Sequence, residues 1–188
     1  MEKEKQTKTI GVIGSRELSH NYSPKVATVT ENLLQRGCRI ASGGAVGTDE
    51  FCLSHLVHIG EAEKATLYTP WNSYEGFPVK VRALTRQFKE YGGSIIWGNI
   101  RGQEEYSIVR TALLQRNIRL IEAVTGIVAF IAGESKGTLF TIRKALAEKL
   151  PVVIFCLDRA LPEFKNIKWR PIRCGGCWEG AYKAVYTR

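Results

Sequence analysis

Ile40-Ala41-Ser42-Gly43-Gly44-Ala45-Val46-Gly47-Thr48-Asp49-Glu50 decides how the rest of the chain is read. The apolar run from Cys38 to Ala41 has the length and character of a buried strand. It breaks into Ser-Gly-Gly and then Gly-Thr-Asp. The stretch from Phe51 to Ile59 reads as helix, with Thr48 or Asp49 as its cap. A strand, a glycine turn and a helix start together aim free backbone N–H groups at an anion. Glycine lets a phosphate approach the backbone and tolerates positive φ. The expectation is a chain that handles phosphate, carried by a nucleotide or a nucleic acid.

Working outward, strands alternate with helices. Ile10 to Ile13 reads as a strand ending at Gly14. Ser23-Pro24 starts a helix whose stripe is Val26, Val29 and Leu33, and Gly37 ends it. Ala65 to Tyr68 is a third strand. Val79 to Tyr91 reads as helix, Ser94 to Trp97 as a short strand and Tyr106 to Leu120 as helix. Ile127 to Ile131 and Pro151 to Cys156 read as buried strands. The helix between them carries Leu139, Ile142 and Leu146, and Trp178 to Tyr186 reads as a closing helix. Continuous apolar strands between amphipathic helices imply an α/β, Rossmann-like three-layer fold: a mostly parallel sheet with helices on both faces. Residues 1 to 8 read as a flexible lead-in and 9 to 188 as one domain.

Three strand ends carry turn-and-phosphate chemistry: Gly14-Ser15-Arg16, then Ser42 to Asp49, then Gly133 to Thr138. None is a P-loop or a G-x-G-x-x-G fingerprint. A fourth element is Arg116-Asn117-Ile118-Arg119. Its two arginines are three apart on a helix, which puts them on one face, able to grip phosphate or stack on a base. In a parallel sheet the carboxyl ends of the strands converge on one side. The expected site therefore comprises Gly14, Ser15, Arg16, Ser42, Gly43, Gly44, Gly47, Thr48, Asp49, Arg116, Asn117, Arg119, Ser135, Lys136, Gly137 and Thr138. Phosphate is expected against the backbone of Gly43-Gly44 or Gly137-Thr138.

Composition agrees. The chain has 188 residues, and its 27 Lys and Arg exceed its 18 Asp and Glu, a net charge of +9 that favours a polyanionic partner. The longest apolar run, Leu120 to Ala132, is too short to span a membrane. Five cysteines without disulfide spacing point to a reducing, cytoplasmic setting. Cys174-Gly175-Gly176-Cys177 lacks a second ligand pair, so it reads as a glycine turn rather than a zinc or redox site. Cys52, His55 and His58 fan around a helix and cannot converge on one ion. No metal and no cofactor are implied. Trp71, Tyr74 and Phe77 could stack bases or cap the sheet edge. Lys165, Lys168, Arg170, Arg173, Lys183 and Arg188 gather in the tail, and a stripe of them along the sheet edge would support DNA binding.

In this order, Gly14-Ser15-Arg16, Ser42-Gly43-Gly44-Ala45-x-Gly47-x-Asp49, Arg116-Asn117-x-Arg119-Leu-Ile and Ser135-x-Gly137-Thr138-x-x-Thr141 resemble the DNA-processing protein A (DprA, or Smf) family. The resemblance spans about residues 10 to 156. It implies the Rossmann-like fold shared with the LOG nucleotide hydrolases, binding of single-stranded DNA, transfer of that strand to a RecA-type recombinase, and a homodimer without established catalysis. Val46 stands where the family pattern has Arg. Two readings stay open. One is a non-catalytic single-strand binder serving DNA uptake or recombination. The other is a small-nucleotide sensor or LOG-like N-glycosidic hydrolase, for which Asp49, Glu50 and Glu122 are the acids to test. The hydrolase pattern Pro-Gly-Gly-x-Gly-Thr-x-x-Glu is only approximated by Ser42 to Glu50.

Overall fold

Strands β1 (Thr9–Gly14), β2 (Arg39–Ser42), β3 (Ala65–Tyr68), β4 (Ser94–Ile96), β5 (Gly126–Ile131), β6 (Val152–Cys156), β7 (Ile167–Pro171) and β8 (Ala181–Tyr186) form one sheet. This is a computed structural model, which describes residues 7–102 and 104–187. The spatial order is β4-β3-β2-β1-β5-β6-β8-β7. The first six strands are parallel to their neighbours, while β8 runs antiparallel to both β6 and β7. Five α-helices connect them: α1 (Ser23–Gln35), α2 (Thr48–His58), α3 (Val79–Glu90), α4 (Tyr106–Glu122) and α5 (Lys136–Ala147). The α/β, Rossmann-like reading of the sequence holds.

β5 shows why a parallel sheet needs cover on both sides. All six of its residues are buried. Alternate side chains leave a strand in opposite directions. Val128 and Phe130 therefore join the core beneath α1, α2 and α3, with Val26, Val29, Leu53, Leu56, Val81 and Phe88. Ile127, Ala129 and Ile131 join the core beneath α4 and α5, with Leu120, Ile121, Ile142 and Ala145. Phe130 stacks on Phe155 of β6 with ring centroids 4.8 Å apart. Burying each such ring stabilises by about 1.5–3 kcal/mol.

Two local expectations fail for physical reasons. Trp178 to Tyr186 is not a helix. Residues 176–178 form a single 3-10 turn, Gly180 takes φ +80°, and the chain then extends as β8. Period-two alternation won: Ala181 and Lys183 share the α1 side, the first buried and the second exposed, and Tyr182 and Ala184 face the α5 side. β7, which supplies β8 with its outer partner, has no counterpart in the sequence reading. α2 also begins earlier than Phe51. Its N-cap is Gly47, while Thr48 and Asp49 lie inside the first turn and cap nothing.

The switch in strand order positions the site. β1 pairs with β2 on one side and with β5 on the other, and the connections leave in opposite directions. A crevice therefore opens above the carboxyl ends of β1 and β5.

Candidate nucleic-acid interface

Ser15 builds the floor of that crevice. Its hydroxyl donates to the Ala132 carbonyl at 2.8 Å and accepts from the Ala132 N–H at 2.8 Å. The end of β1 is thereby stitched to the end of β5, and the turns after both strands are held side by side. Expected as a phosphate contact, Ser15 is 1% exposed and has its hydrogen bonds filled by the fold. Its hydroxyl is spent on positioning the turns.

The Ser42–Asp49 turn is likewise occupied from within. The Ala45 N–H donates to Asp49 Oδ2 at 3.1 Å, and the Gly47 N–H donates to Glu50 Oε2 at 3.2 Å. The Thr48 N–H donates to the Ser15 carbonyl at 3.2 Å. The Ser42 hydroxyl donates to the Val12 carbonyl at 3.0 Å. Gly44 has φ +69°, and a Cβ there would come within 2.9 Å of Leu67 and Phe77, so its open side faces the core. At Gly43 a Cβ would lie 1.3 Å from Arg116 Nη1. Arginine, not phosphate, uses the close approach that this glycine permits. Of the two expected anion positions, Gly43-Gly44 has its close approaches filled by Arg116, Leu67 and Phe77.

Arg116 and Asp49 form a buried pair, Nη1 to Oδ2 3.8 Å, each side chain 7% exposed. Burial pushes the Asp49 carboxyl above its ordinary value, opposed by the Arg116 guanidinium, the Ala45 N–H, Arg16 and Ser42. Burial also lowers Arg116; Asp49 pulls it back up, while Arg16 and Arg119 press it further down. Arg116 Nε is buried without a hydrogen-bond partner among the described residues.

The third turn is different. α5 starts at the crevice, with Ser135 as N-cap and no side chain capping its backbone. The Ser135 hydroxyl instead bonds the Thr138 hydroxyl at 2.6 Å. A Cβ on Gly137 would meet nothing within 4 Å. Around this helix start lies a cleft of ≈ 830 Å³ that includes Gly14 to Arg16, Asp49, Arg116, Asn117 and Ser135 to Thr138. Five cations line it (Arg16, Arg110, Arg116, Lys136 and Arg143) against three acids (Glu17, Asp49 and Glu134). Three of the four expected segments thus meet in one place, and the fourth, Ser42 to Asp49, reaches it only through Ala45 and Asp49.

Arg119 does not share the cleft. It donates to the carbonyls of Thr69 at 2.9 Å and Trp97 at 3.3 Å. It lines a separate hollow of ≈ 750 Å³ on the other side of α4, with Trp97, Asn99, Thr111 and Gln115. Glu122 is exposed at the last residue of α4, just before β5, so it lies at the opposite edge of the sheet. Glu50 serves the start of α2 and also pairs with Lys80 at 3.2 Å. Phe77 is buried and packs with Tyr74 against Trp97, which gives the aromatic loop a role in the core. Among the described residues no group of three or more His, Cys, Asp and Glu could hold a metal ion. No described helix is long and apolar enough to cross a membrane.

Sequence reasoning missed Tyr106, Arg110, Phe140 and Arg143, which line the cleft. The signal was helical spacing. Tyr106, Arg110, Leu113 and Asn117 follow one face of α4, and Lys136, Phe140 and Arg143 follow one face of α5. Tyr106 is 81% exposed at the rim.

Protein Smf of Borreliella burgdorferi is 24% identical over 148 residues, 78% of this chain and 45% of that relative, so the chain spans less than half of that relative's length. A solved structure of DNA processing protein A from Helicobacter pylori, described for its single-stranded DNA binding mode, is similar with a TM-score of 0.62 at 19% identity, covering 85% of this chain and 67% of that one. The DNA processing protein A of Streptococcus pneumoniae has a TM-score of 0.62 at 21% identity, covering 81% and 51%. At such identities the structural likeness speaks for the fold. The family model for DNA recombination-mediator protein A matches residues 1–166, ending just before β7, and the chain belongs to that family.

Proposed function

We propose that the protein binds single-stranded DNA, seating its phosphates in the cleft between α4, α5 and the turn after β1. The observation that carries this is the uncapped start of α5, open at Gly137 and flanked by Lys136 and Arg16. Free N–H groups and a helix dipole favour an anion there. The unpartnered Arg116 Nε supports it, since a buried donor ordinarily has an acceptor. The exposed Tyr106 ring at the rim suits base stacking. Family membership, and the single-strand binding described for the Helicobacter pylori relative, favour a strand over a mononucleotide. Service in DNA uptake or recombination, delivery to a RecA-type recombinase and homodimer formation belong to the same reading. No residue is assigned a covalent step.

A titration with labelled oligothymidylate at several salt concentrations tests the reading. The slope of log affinity against log salt should be about −0.7 for each phosphate held. An Arg16→Ala, Lys136→Ala variant should lose most of the affinity while keeping its melting temperature. Affinity that is flat with salt would refute the proposal. A second reading has one observation in its favour: ≈ 830 Å³ suits a small nucleotide. Displacement of the oligonucleotide by stoichiometric mononucleotide would establish that reading instead.

A further inference from the structure

β7 and β8 lie beyond residue 166, where the family match ends. Along this hairpin the register brings Arg170 directly opposite Lys183 and Lys168 opposite Val185. Residues facing each other across a ladder project from the same side of the sheet. That side can be identified. Ile167, Trp169, Tyr182 and Ala184 face the core beneath α5, so Lys168, Arg170 and Lys183 project from the other face, the one that carries α1. All three are exposed. Lys183 also pairs with Val153 of β6, and two residue pairs further along, on the same face, Phe155 has Lys25 of α1 over its ring at 5.3 Å. A row of four cations thus crosses from α1 to the sheet edge.

None of the four takes part in an ion pair among the described residues. Like charges directly opposed on neighbouring strands destabilise a sheet. Lysine on an edge strand can protect against edge-to-edge aggregation, and that would account for Lys168 on the outer strand β7. It does not account for Lys183, which sits on the interior strand β8. A polyanion lying across the ribbon would relieve the uncompensated repulsion between Arg170 and Lys183.

We infer that the α1-side face of the β7–β8 ribbon, with Lys25, is a second contact surface for the phosphodiester backbone of nucleic acid, separate from the cleft. The inference rests on the cleft reading only for the choice of ligand. A backbone with one phosphate per nucleotide fits a row of cations that have no ion-pair partner among the described residues. Arg188 of the same basic tail lies outside the described residues.

The test is a Lys168→Gln, Arg170→Gln, Lys183→Gln variant, compared with the Arg16→Ala, Lys136→Ala cleft variant and the wild type. Each is titrated with a short oligothymidylate that fills only the cleft and with a long one. The ribbon variant should bind the short strand as the wild type does. For the long strand its log–log salt slope should be shallower by about 2, from three contacts at about 0.7 each. The cleft variant should weaken on both strands. A long-strand slope unchanged in the ribbon variant overturns the inference. Wild-type affinity from the cleft variant, with loss only in the ribbon variant, would sink the cleft reading and leave the ribbon standing. Phosphatidylserine vesicles are the competing polyanion: binding to them that the ribbon variant loses, with its DNA slope intact, assigns the surface to a membrane and overturns the proposal. Lys183→Glu guards against misfolding. It turns the repulsive pair into an attractive one, so it should melt no lower than the wild type while losing long-strand affinity.

Discussion

The turn from Ser42 to Thr48 and the turn from Ala132 to Thr138 leave the same edge of one sheet, and both run into helices. In the first, Asp49, Glu50 and Ser15 take up the N–H groups of Ala45, Gly47 and Thr48, and Gly43 receives a guanidinium. In the second, the helix start is uncapped and Gly137 opens onto the cleft. The β6–β7 connection holds only its beginning, where the Gly133 N–H donates to Asp158 and the Gly133 carbonyl accepts from Arg159. A glycine turn before a helix is thus a permission, not an assignment. The glycine-richer turn is filled from within, and the plainer one opens onto the cleft.

The sharpest way to break this contrast is to damage the closed turn. Asp49→Ala leaves Arg116 buried without its partner, which should cost about 3–5 kcal/mol of stability in a denaturant melt. Gly44→Val should likewise fail by unfolding, because its side chain would enter the space of Leu67 and Phe77. A stable Gly44→Val protein that has merely lost binding would restore the anion-cradle view of that turn. The matching change in the open turn, Gly137→Val, should leave the melt within about 1 kcal/mol, the scale of helix propensities. It should nevertheless abolish oligonucleotide binding by crowding the helix start.

Smaller effects refine the comparison. Arg143→Ala or Arg110→Ala should each weaken binding by about 1.5–3 kcal/mol where the charge-assisted contact is fully made, with no change in stability. Next comes pH. The folded-state Asp49 carboxyl is raised above 3.8, chiefly by burial. The Asp49 proton is therefore bound more tightly by the fold than by the unfolded chain. Its contribution to stability is fully present below 3.8 and is lost as pH rises through the folded value. The stability of the wild type relative to Asp49→Asn should fall across that window, whereas the stability of Gly137→Val relative to the wild type should show no matching change. Thiols give the smallest signal. Cys52 is buried with its thiol pushed up to about 12, so an alkylating reagent should spare it and modify the exposed Cys174 first. Cys174→Ser, Cys177→Ser should bind oligonucleotide as the wild type does.

The fold was legible because buried parallel strands are apolar throughout and their boundaries are punctuated by glycine. Ala65–Tyr68 is reproduced residue for residue, and β5 and β6 nearly so. The closing hairpin was not. Short antiparallel strands with one solvated face carry a weak alternation, and Trp178 to Tyr186 also satisfies a helical count. At the site, spacing brought out the arginines but not their destinations. Arg116 and Arg119 are neighbours on α4, yet a long side chain chooses its partner in three dimensions. Asp49 lies 67 positions before Arg116, and the Thr69 carbonyl lies 50 before Arg119. The cleft-lining face of α4 was visible in the sequence, but its exposed start resembles any solvated helix turn.

The stitch between Ser15 and Ala132 has a consequence for how the protein is made. It joins positions 117 residues apart, and β1 waits for β5 as its inner neighbour. The strands β1 to β4 can pair with one another while the remainder is still being synthesised. The cleft cannot, because one wall begins at Ser135 and its floor needs Ala132. Long-range parallel pairing of this kind is slow and comes late. A nascent chain therefore completes half of its sheet before it owns any part of α5, and the cleft comes into being only when the second half docks.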